Sequence, residues 1–364
     1  MVVNNITVEK PRTAEELARV LHLAAEANLA VTPVGGGRAN AMGGLLQRCD
    51  VELHTTGLYR VIEHLAADMV VTVEAGITLE ALQEHLAKSR QFLPLDPFNS
   101  PGHTVGGLLA TGWTGPLRMR FGSARDFLIG IRVALPDGKL ASAGGRVVKN
   151  VSGYDLMKLH IGAMGSLGVI VAASFKVFPT PLFDVTVGTD HSDVREAWTD
   201  VDRALTLPML PAALEVYSNG GVAARFLGSR DAVRATVEDL GWDELPNEIW
   251  SQHAARSPKL WARITVPRSA LRRTIEALGA DAYWYASAGI GVVNWEVEGG
   301  VAEIQSARAA AESAGGSLVL MAAPDDVKKK VGAWGTPPPT LDVMRRIKDA
   351  FDPNHVLNPG RFVV

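Results

Sequence analysis

Between residues 94 and 180 the chain carries 14 of its 36 glycines, yet apolar runs at 128–135 and 169–178 read as strong strands. Glycine gives up more backbone freedom on folding than any other residue. Its persistence among well-formed strands marks places where backbone turns left-handed or approaches something closely. Asp137-Gly138, set between apolar runs, is a hairpin signal. The stretch therefore predicts strands drawn tightly around a ligand. The blander alternative is a loop-rich core filled by protein alone.

A second glycine cluster, VTPVGGGRAN at 31–40, asks what that ligand is. A dinucleotide fingerprint needs G-x-G-x-x-G opening a helix. Gly35 and Gly37 fit, but the third position is Asn40 and AMGGLL is a poor helix start. A P-loop needs a Lys-Ser/Thr pair after its last glycine, and Gly138-Lys139 is followed by Leu140. What remains is a loop of successive backbone N–H groups that binds an anion without a helix. A second such loop, Ser100 to Gly107, has Gly106-Gly107 opening a predicted short helix over 108–112, whose N-terminus also favours an anion. Two such loops facing one another can grip the two phosphates of a pyrophosphate.

Bulk properties bound the rest. The 364 residues suffice for two or three domains, and a formal charge of -3 lacks the basic excess of a nucleic-acid binder. Lys328-Lys329-Lys330 reads as a solvated helix end. With Cys49 as the only cysteine, the chain forms no internal disulfide and cannot hold a cysteine-ligated iron–sulfur cluster. No apolar run approaches the roughly 18 residues of a membrane span. The start lacks a signal-peptide pattern, so a cytoplasmic location is expected. The nine histidines show no metal-ligand spacing.

Periodicity organises the chain into three pieces, 1–180, 182–325 and 326–364. In the first, Thr13 and Glu16 have capping-box spacing ahead of a helix stopped near Asn28. Strands follow at 29–34, 51–54, 59–65 and 69–74, then a helix capped by Thr78. After Pro179-Thr180-Pro181, strands at 183–187, 213–217, 223–227, 260–266, 283–285, 291–295 and 318–321 alternate with four helices. They read as two β-α-β-β-α-β halves, hence an antiparallel sheet with helices on one face. The prolines at 337–339 precede a last helix striped by Leu341, Met344, Ile347 and Phe351. The fold class is α+β.

PVGGGRAN (33–40), VEAGITLEAL (73–82) and LPLDPFNSPGHTVGG (93–107) resemble the FAD-binding (PCMH-type) domain of the vanillyl-alcohol oxidase and p-cresol methylhydroxylase superfamily. GGRVVKNVSGYDLMKLHIGAMGSLGVI (144–170) and WGTPPPTLDVMRRIKDAFDPNHVLNPGRF (334–362) are similar to the FAD-binding subunits of bacterial glycolate oxidase complexes. The resemblance implies a PCMH-type FAD-binding domain, an α+β cap domain of the substrate type, and a C-terminal helix and tail that return to the flavin. It implies that Gly35, Gly36, Gly37, Arg38, Ala39 and Asn40 bind the FAD pyrophosphate, together with Thr104, Val105, Gly106 and Gly107. Gly122, Ser123 and Asp126 would lie along the cofactor, and Gly165, Ser166, Gly168, Val169 and Ile170 would present backbone to it. Lys149, Asn150, Gly153 and Tyr154 would form a loop near the isoalloxazine, with Asp155 either there or capping a helix. Asn358 and Arg361 would approach from the tail, and Lys149 or Arg361 would stabilise negative charge on reduced flavin.

Two departures shape the expectation. Relatives that attach FAD covalently carry a histidine just after the glycine loop, where this chain has Arg38, so non-covalent FAD is expected. Hydroxy-acid dehydrogenases of the superfamily often carry His-x-Gly-Asp-Gly-Asn, and the matching stretch Tyr285 to Val292 has Ser287 for the histidine and Ile290 for the aspartate. No metal site is expected, and no residue declares itself the base for a hydroxyl proton. His103 and His355 read as loop and turn residues. Three readings stay open. The first is an FAD-binding subunit of a glycolate oxidase, partnered by a second flavoprotein subunit and an iron–sulfur subunit. Such a complex would act on a small 2-hydroxy acid, glycolate, and would sit in the cytoplasm or at the inner membrane. The second is a stand-alone FAD-dependent dehydrogenase of a hydroxy acid, sugar or alcohol. The third is an assembly subunit with a decayed site.

Overall fold

The computed structural model describes residues 6–97, 101–145, 154–252 and 259–364. Contacts divide the chain into two compact units. One comprises residues 1–113, 123–180 and 336–364, and the other residues 114–122 and 181–335.

The first unit holds two sheets. Strand Thr7–Glu9 and strand Val31–Val34 flank Val51–His54, both parallel to it. Val61–Leu65, Val70–Glu74, Val169–Lys176, Leu128–Ala134 and Leu140–Gly144 form a five-stranded antiparallel sheet in that spatial order. Helix Ala14–Glu26 begins where the capping spacing places it, with Thr13 Oγ1 accepting from the Glu16 N–H. Its Leu17 and Leu21 are fully buried against Val31, Leu53, Val169 and Leu357. Each such leucine contributes about 1.5–3 kcal/mol by leaving water. The C-terminal segment belongs to this core: Val356 and Leu357 are fully buried, and Leu357 bridges to Val31.

The second unit is one eight-stranded antiparallel sheet. Its halves are strands Phe183–Asp190, Ala213–Tyr217, Gly221–Gly228 and Asp243–Leu245, and strands Trp261–Thr265, Tyr283–Ser287, Val292–Glu296 and Ser317–Ala322. Each half reads β-α-β-β-α-β, and the halves join where Glu215 pairs with Ser287. The period-two alternation sends Leu214 and Val216 into a core shared with Trp198, Val233, Ile275 and Ile304 from the four helices. Glu215 and Tyr217 therefore share the opposite face with Tyr285 and Ser287.

Three boundaries differ from the sequence expectation. Residues 114–122 leave the first unit: Arg120 Nη1 donates to the Leu227 carbonyl at 2.5 Å, and a side chain on Gly289 would strike Met119. Residues 326–335 group with the second unit and not with the C-terminal piece. Helix Asp325–Val331 contains the lysine run, and Arg308 donates to the carbonyls of Val331 and Gly332 beside it. The short helix near 108 starts earlier, at Val105, capped by Thr104 and stopped by left-handed Gly112.

Candidate functional site

The buried strand Val31–Val34 delivers the chain into Gly35-Gly36-Gly37. At Gly36 a Cβ would lie 1.7 Å from the Gly102 carbonyl oxygen, so the two loops touch through backbone. Gly37 turns with φ +74°, a conformation that side chains disfavour. Among the described residues none accepts a hydrogen bond from the N–H of Gly35, Gly36, Gly37 or Arg38. Four consecutive uncommitted donors on a cleft wall suit an anion.

The second loop works differently from the expectation. The Val105 N–H donates to the Ile77 carbonyl at 3.0 Å, the Gly106 N–H to Ala75 at 2.7 Å, and the Gly107 N–H to Thr104 Oγ1 at 3.3 Å. The helix start has spent its donors on the protein, so it supplies a wall and not an anion hole. Gly106 is needed for close approach, since a Cβ there would sit 2.9 Å from the Ala75 Cβ.

The C-terminal tail closes the cleft. The Asn358 N–H donates to the Val31 carbonyl at 2.9 Å, and its side-chain amide donates to the Met164 carbonyl at 2.6 Å. Arg361 Nη1 donates to the carbonyls of Asn40 at 2.8 Å and Met42 at 3.1 Å, which ties the tail to the end of the glycine loop. Burial draws the Arg361 guanidinium below its ordinary value.

These pieces line an open cleft. Of the residues expected from the sequence, Gly35, Gly36, Gly37, Arg38, Ala39, Asn40, Thr104, Gly107, Asn358 and Arg361 line it. Gly106, Gly165, Gly168, Val169 and Ile170 line an adjoining hollow that shares Gly35 and Gly107 with the cleft. Val105 is fully buried and lines neither. Ser166 is buried, its hydroxyl donating to the Ala163 carbonyl. Gly122, Ser123 and Asp126 also line neither hollow. Ser123 and Asp126 form a capping box on helix Ala124–Phe127, and Gly122 groups with the second unit. Tyr154 is exposed, and Asp155 pairs with Lys158 and caps no helix. Lys149, Asn150 and Gly153 lie outside the described residues. Thr32, Ala110, Thr111 and Met164 are not among the residues expected from the sequence, and His103 reads there as a loop residue; all five line the cleft. His103 packs edge-on to Trp113 there.

Two buried atoms test what the cleft takes. Thr32 Oγ1 and Asn358 Oδ1 have no hydrogen-bond partner among the described residues, and both residues line it. Leaving such atoms unpaired costs about 1–3 kcal/mol each, so they point to an absent partner. The Met164 carbonyl only accepts, so it fixes the Asn358 amide nitrogen towards itself and leaves Oδ1 as an acceptor. Uncommitted amides and the Arg38 side chain for phosphate, beside an acceptor and a hydroxyl for hydroxyl or N–H groups, fit FAD.

In the second unit, Ser287 is buried and donates to Glu215 Oε1 at 3.2 Å, while Tyr217 donates to Oε2 at 3.1 Å. Burial pushes the Glu215 carboxyl up to about 7 against the pull of those two bonds. Asn294 and Arg263 continue the same face, Arg263 Nε approaching Asn294 Oδ1 at 3.5 Å. Among the described residues no group of three or more His, Cys, Asp or Glu side chains could hold a metal ion.

Residues 7–144 match the family described as FAD binding domain, and residues 327–362 match FAD linked oxidases, C-terminal domain. Glycolate oxidase subunit GlcE of Escherichia coli (strain K12) is 29% identical, over 86% of this chain and 87% of that protein. Glycolate oxidase subunit GlcD of Bacillus subtilis (strain 168) is 26% identical over 96% of this chain and 87% of that protein. The cytochrome-type mitochondrial D-lactate dehydrogenase of Arabidopsis thaliana is 34% identical, over 51% of this chain and 33% of that protein. A solved structure of alkyldihydroxyacetonephosphate synthase superposes with a TM-score of 0.74 at 18% identity, over 97% of this chain and 75% of that chain, and so shares the fold. No described helix is long and apolar enough to cross a membrane. With one segment that matches an FAD binding domain and a terminal segment that matches the C-terminal domain of FAD linked oxidases, the chain is an FAD-dependent oxidoreductase.

Proposed function

We propose that this chain is the FAD-binding subunit of a glycolate oxidase complex and holds its FAD non-covalently in the cleft under Gly35–Asn40. The observation that carries the reading is the likeness to GlcE along most of both chains, to which the cleft adds donors and acceptors of the right kind. FAD supplies the capacity to accept a hydride and to release electrons singly. Gly35, Gly36 and Gly37 offer amides to the pyrophosphate, Asn358 and Thr32 receive hydroxyl or N–H groups, and Arg361 holds the tail in place. Arg38 stands after the glycine loop and provides no nucleophile for covalent attachment. Onward transfer falls to an iron–sulfur partner, because Cys49 alone cannot ligate a cluster. A second flavoprotein subunit takes the 2-hydroxy acid, and the complex sits in the cytoplasm or at the inner membrane. The stretch 182–325 acts as a cap of the substrate type.

A stand-alone dehydrogenase is the second reading, favoured by the likeness to D-lactate dehydrogenase and by the polar face around Glu215. Co-expression with a second flavoprotein and an iron–sulfur subunit separates the two. The subunit reading expects glycolate-dependent dye reduction only when all three are present. Full-rate turnover by this chain alone would sink it. Acid precipitation of the purified protein should leave the flavin in the supernatant, whereas flavin in the pellet would overturn non-covalent binding.

A further inference from the structure

Lys348 and Asp352 form a buried charge pair that is not part of the cleft lining. Lys348 is 3% exposed and Asp352 is 0% exposed. A buried ion pair is a poor stability device, since an apolar pair of similar volume is often as stable or more so. Its geometry suggests another use. Lys348 Nζ donates to the carbonyls of Ser166 at 2.8 Å and Leu357 at 3.1 Å, and to Asp352 at 2.5 Å, which commits all three of its hydrogens. Asp352 in turn accepts from the N–H groups of Val356 at 3.1 Å and Leu357 at 2.8 Å.

Each gripped residue adjoins a part of the cleft. Ser166 sits in the turn whose Gly165 and Gly168 line the adjoining hollow. Leu357 precedes Asn358 and bridges to Val31, which precedes Thr32. One ammonium therefore fixes the relative positions of a glycine turn, a strand end and the tail, and through them both unpaired acceptor atoms. We propose that Lys348 and Asp352 are positioning residues for the cofactor site, holding the tail so that the cleft is preformed when FAD arrives. This rests on the FAD reading given above. It also makes the C-terminal segment a part of the cofactor site in energetic terms, though most of it lies outside the cleft.

The test is Lys348→Met combined with Asp352→Leu, which removes the pair without stranding a charge. The readout is the FAD dissociation constant of the folded apoprotein, from flavin fluorescence titration. The expected result is binding at least about tenfold weaker with unchanged circular dichroism. Binding within twofold of wild type would overturn the positioning role, because loss of a merely structural pair acts on apoprotein stability and leaves the affinity of folded molecules alone. Should the double variant not fold, hydrogen exchange on the wild-type chain decides. FAD should slow the amides of Val356 and Leu357 together with those of the glycine loop. Protection confined to residues 35–40 would refute the pair's role. A wild-type chain that takes up no FAD removes the cofactor reading and this proposal with it, an outcome distinct from failure of the pair alone.

Discussion

Glu215 and His160 should make the two units respond to pH in opposite directions. Glu215 is fully buried and its carboxyl is pushed from 4.5 up to about 7 by burial. His160 is buried beside Phe351, and burial lowers its imidazole from 6.5 to about 4. For Glu215 the folded value lies above the unfolded one, so its stabilising contribution is complete below pH 4.5 and is lost as pH rises through 7. For His160 the folded value lies below the unfolded one, so its contribution is complete above pH 6.5 and is lost as pH falls through 4. At about 1.4 kcal/mol for each pH unit between folded and unfolded values, each effect amounts to about 3 kcal/mol. Glu215 lies in the second unit and His160 in the first.

Whole-protein unfolding would mask this, because the two slopes nearly cancel between pH 4.5 and 6.5. Peptide-resolved hydrogen exchange, corrected for the intrinsic pH dependence of exchange, reads each unit separately. Peptides over strand Ala213–Tyr217 should lose protection from pH 5 to 8, by up to about a hundredfold for 3 kcal/mol. Peptides over strand Val169–Lys176 should gain protection from pH 4 to 6.5. Glu215→Gln keeps the acceptor oxygen, and the Tyr217 or Ser287 hydroxyl can rotate to receive the new N–H. That variant should flatten the second unit's profile and raise its protection at pH 8, leaving the first unit unchanged. A wild-type second unit equally protected at pH 5 and 8, or a Glu215→Gln unit that keeps the slope, would refute the argument that desolvation outweighs the two hydrogen bonds.

Three further outcomes concern the cleft. Gly36→Ala places a methyl 1.7 Å from the Gly102 carbonyl oxygen, so the two loops must part; FAD titration should show affinity at least about a hundredfold weaker, the loss expected when paired phosphate contacts of roughly 1.5–3 kcal/mol each are misplaced. Thr32→Val removes a hydroxyl that has no partner in the apoprotein; thermal unfolding should show the apoprotein unharmed or stabilised by up to about 1 kcal/mol while FAD binds about fivefold more weakly. Arg361→Lys keeps the charge but loses the planar donor geometry that spans the Asn40 and Met42 carbonyls; faster hydrogen exchange over residues 40–44 and FAD binding about tenfold weaker are expected, and exchange at the wild-type rate would contradict the tether.

Features whose cause is local were legible in the sequence, and features whose cause is remote were not. Thr13 caps its helix because the accepting N–H lies three residues away, and the spacing shows it. The two β-α-β-β-α-β halves were readable because alternation and helical period are properties of short windows. The glycine triplet carried its own chemistry, and the structure adds the uncommitted amides. The second loop misled, because its helix start has the anion-binding pattern while its donors go to Ala75 and Ile77, nearly 30 residues earlier. Glu215 sits in an apolar strand, Leu214-Glu215-Val216-Tyr217, and matches no motif; its partner Ser287 is 72 residues away, joined only by the register that brings the two half-sheets edge to edge. In the sequence Ser287 stands where related motifs carry a histidine, and in the fold it donates to that carboxyl. The tail makes the same point at longer range. Its motif contains Asn358 and Arg361, but the bonds that place them, to the Met164 carbonyl 194 residues earlier and to the Asn40 carbonyl 321 residues earlier, exist only once the chain has closed on itself.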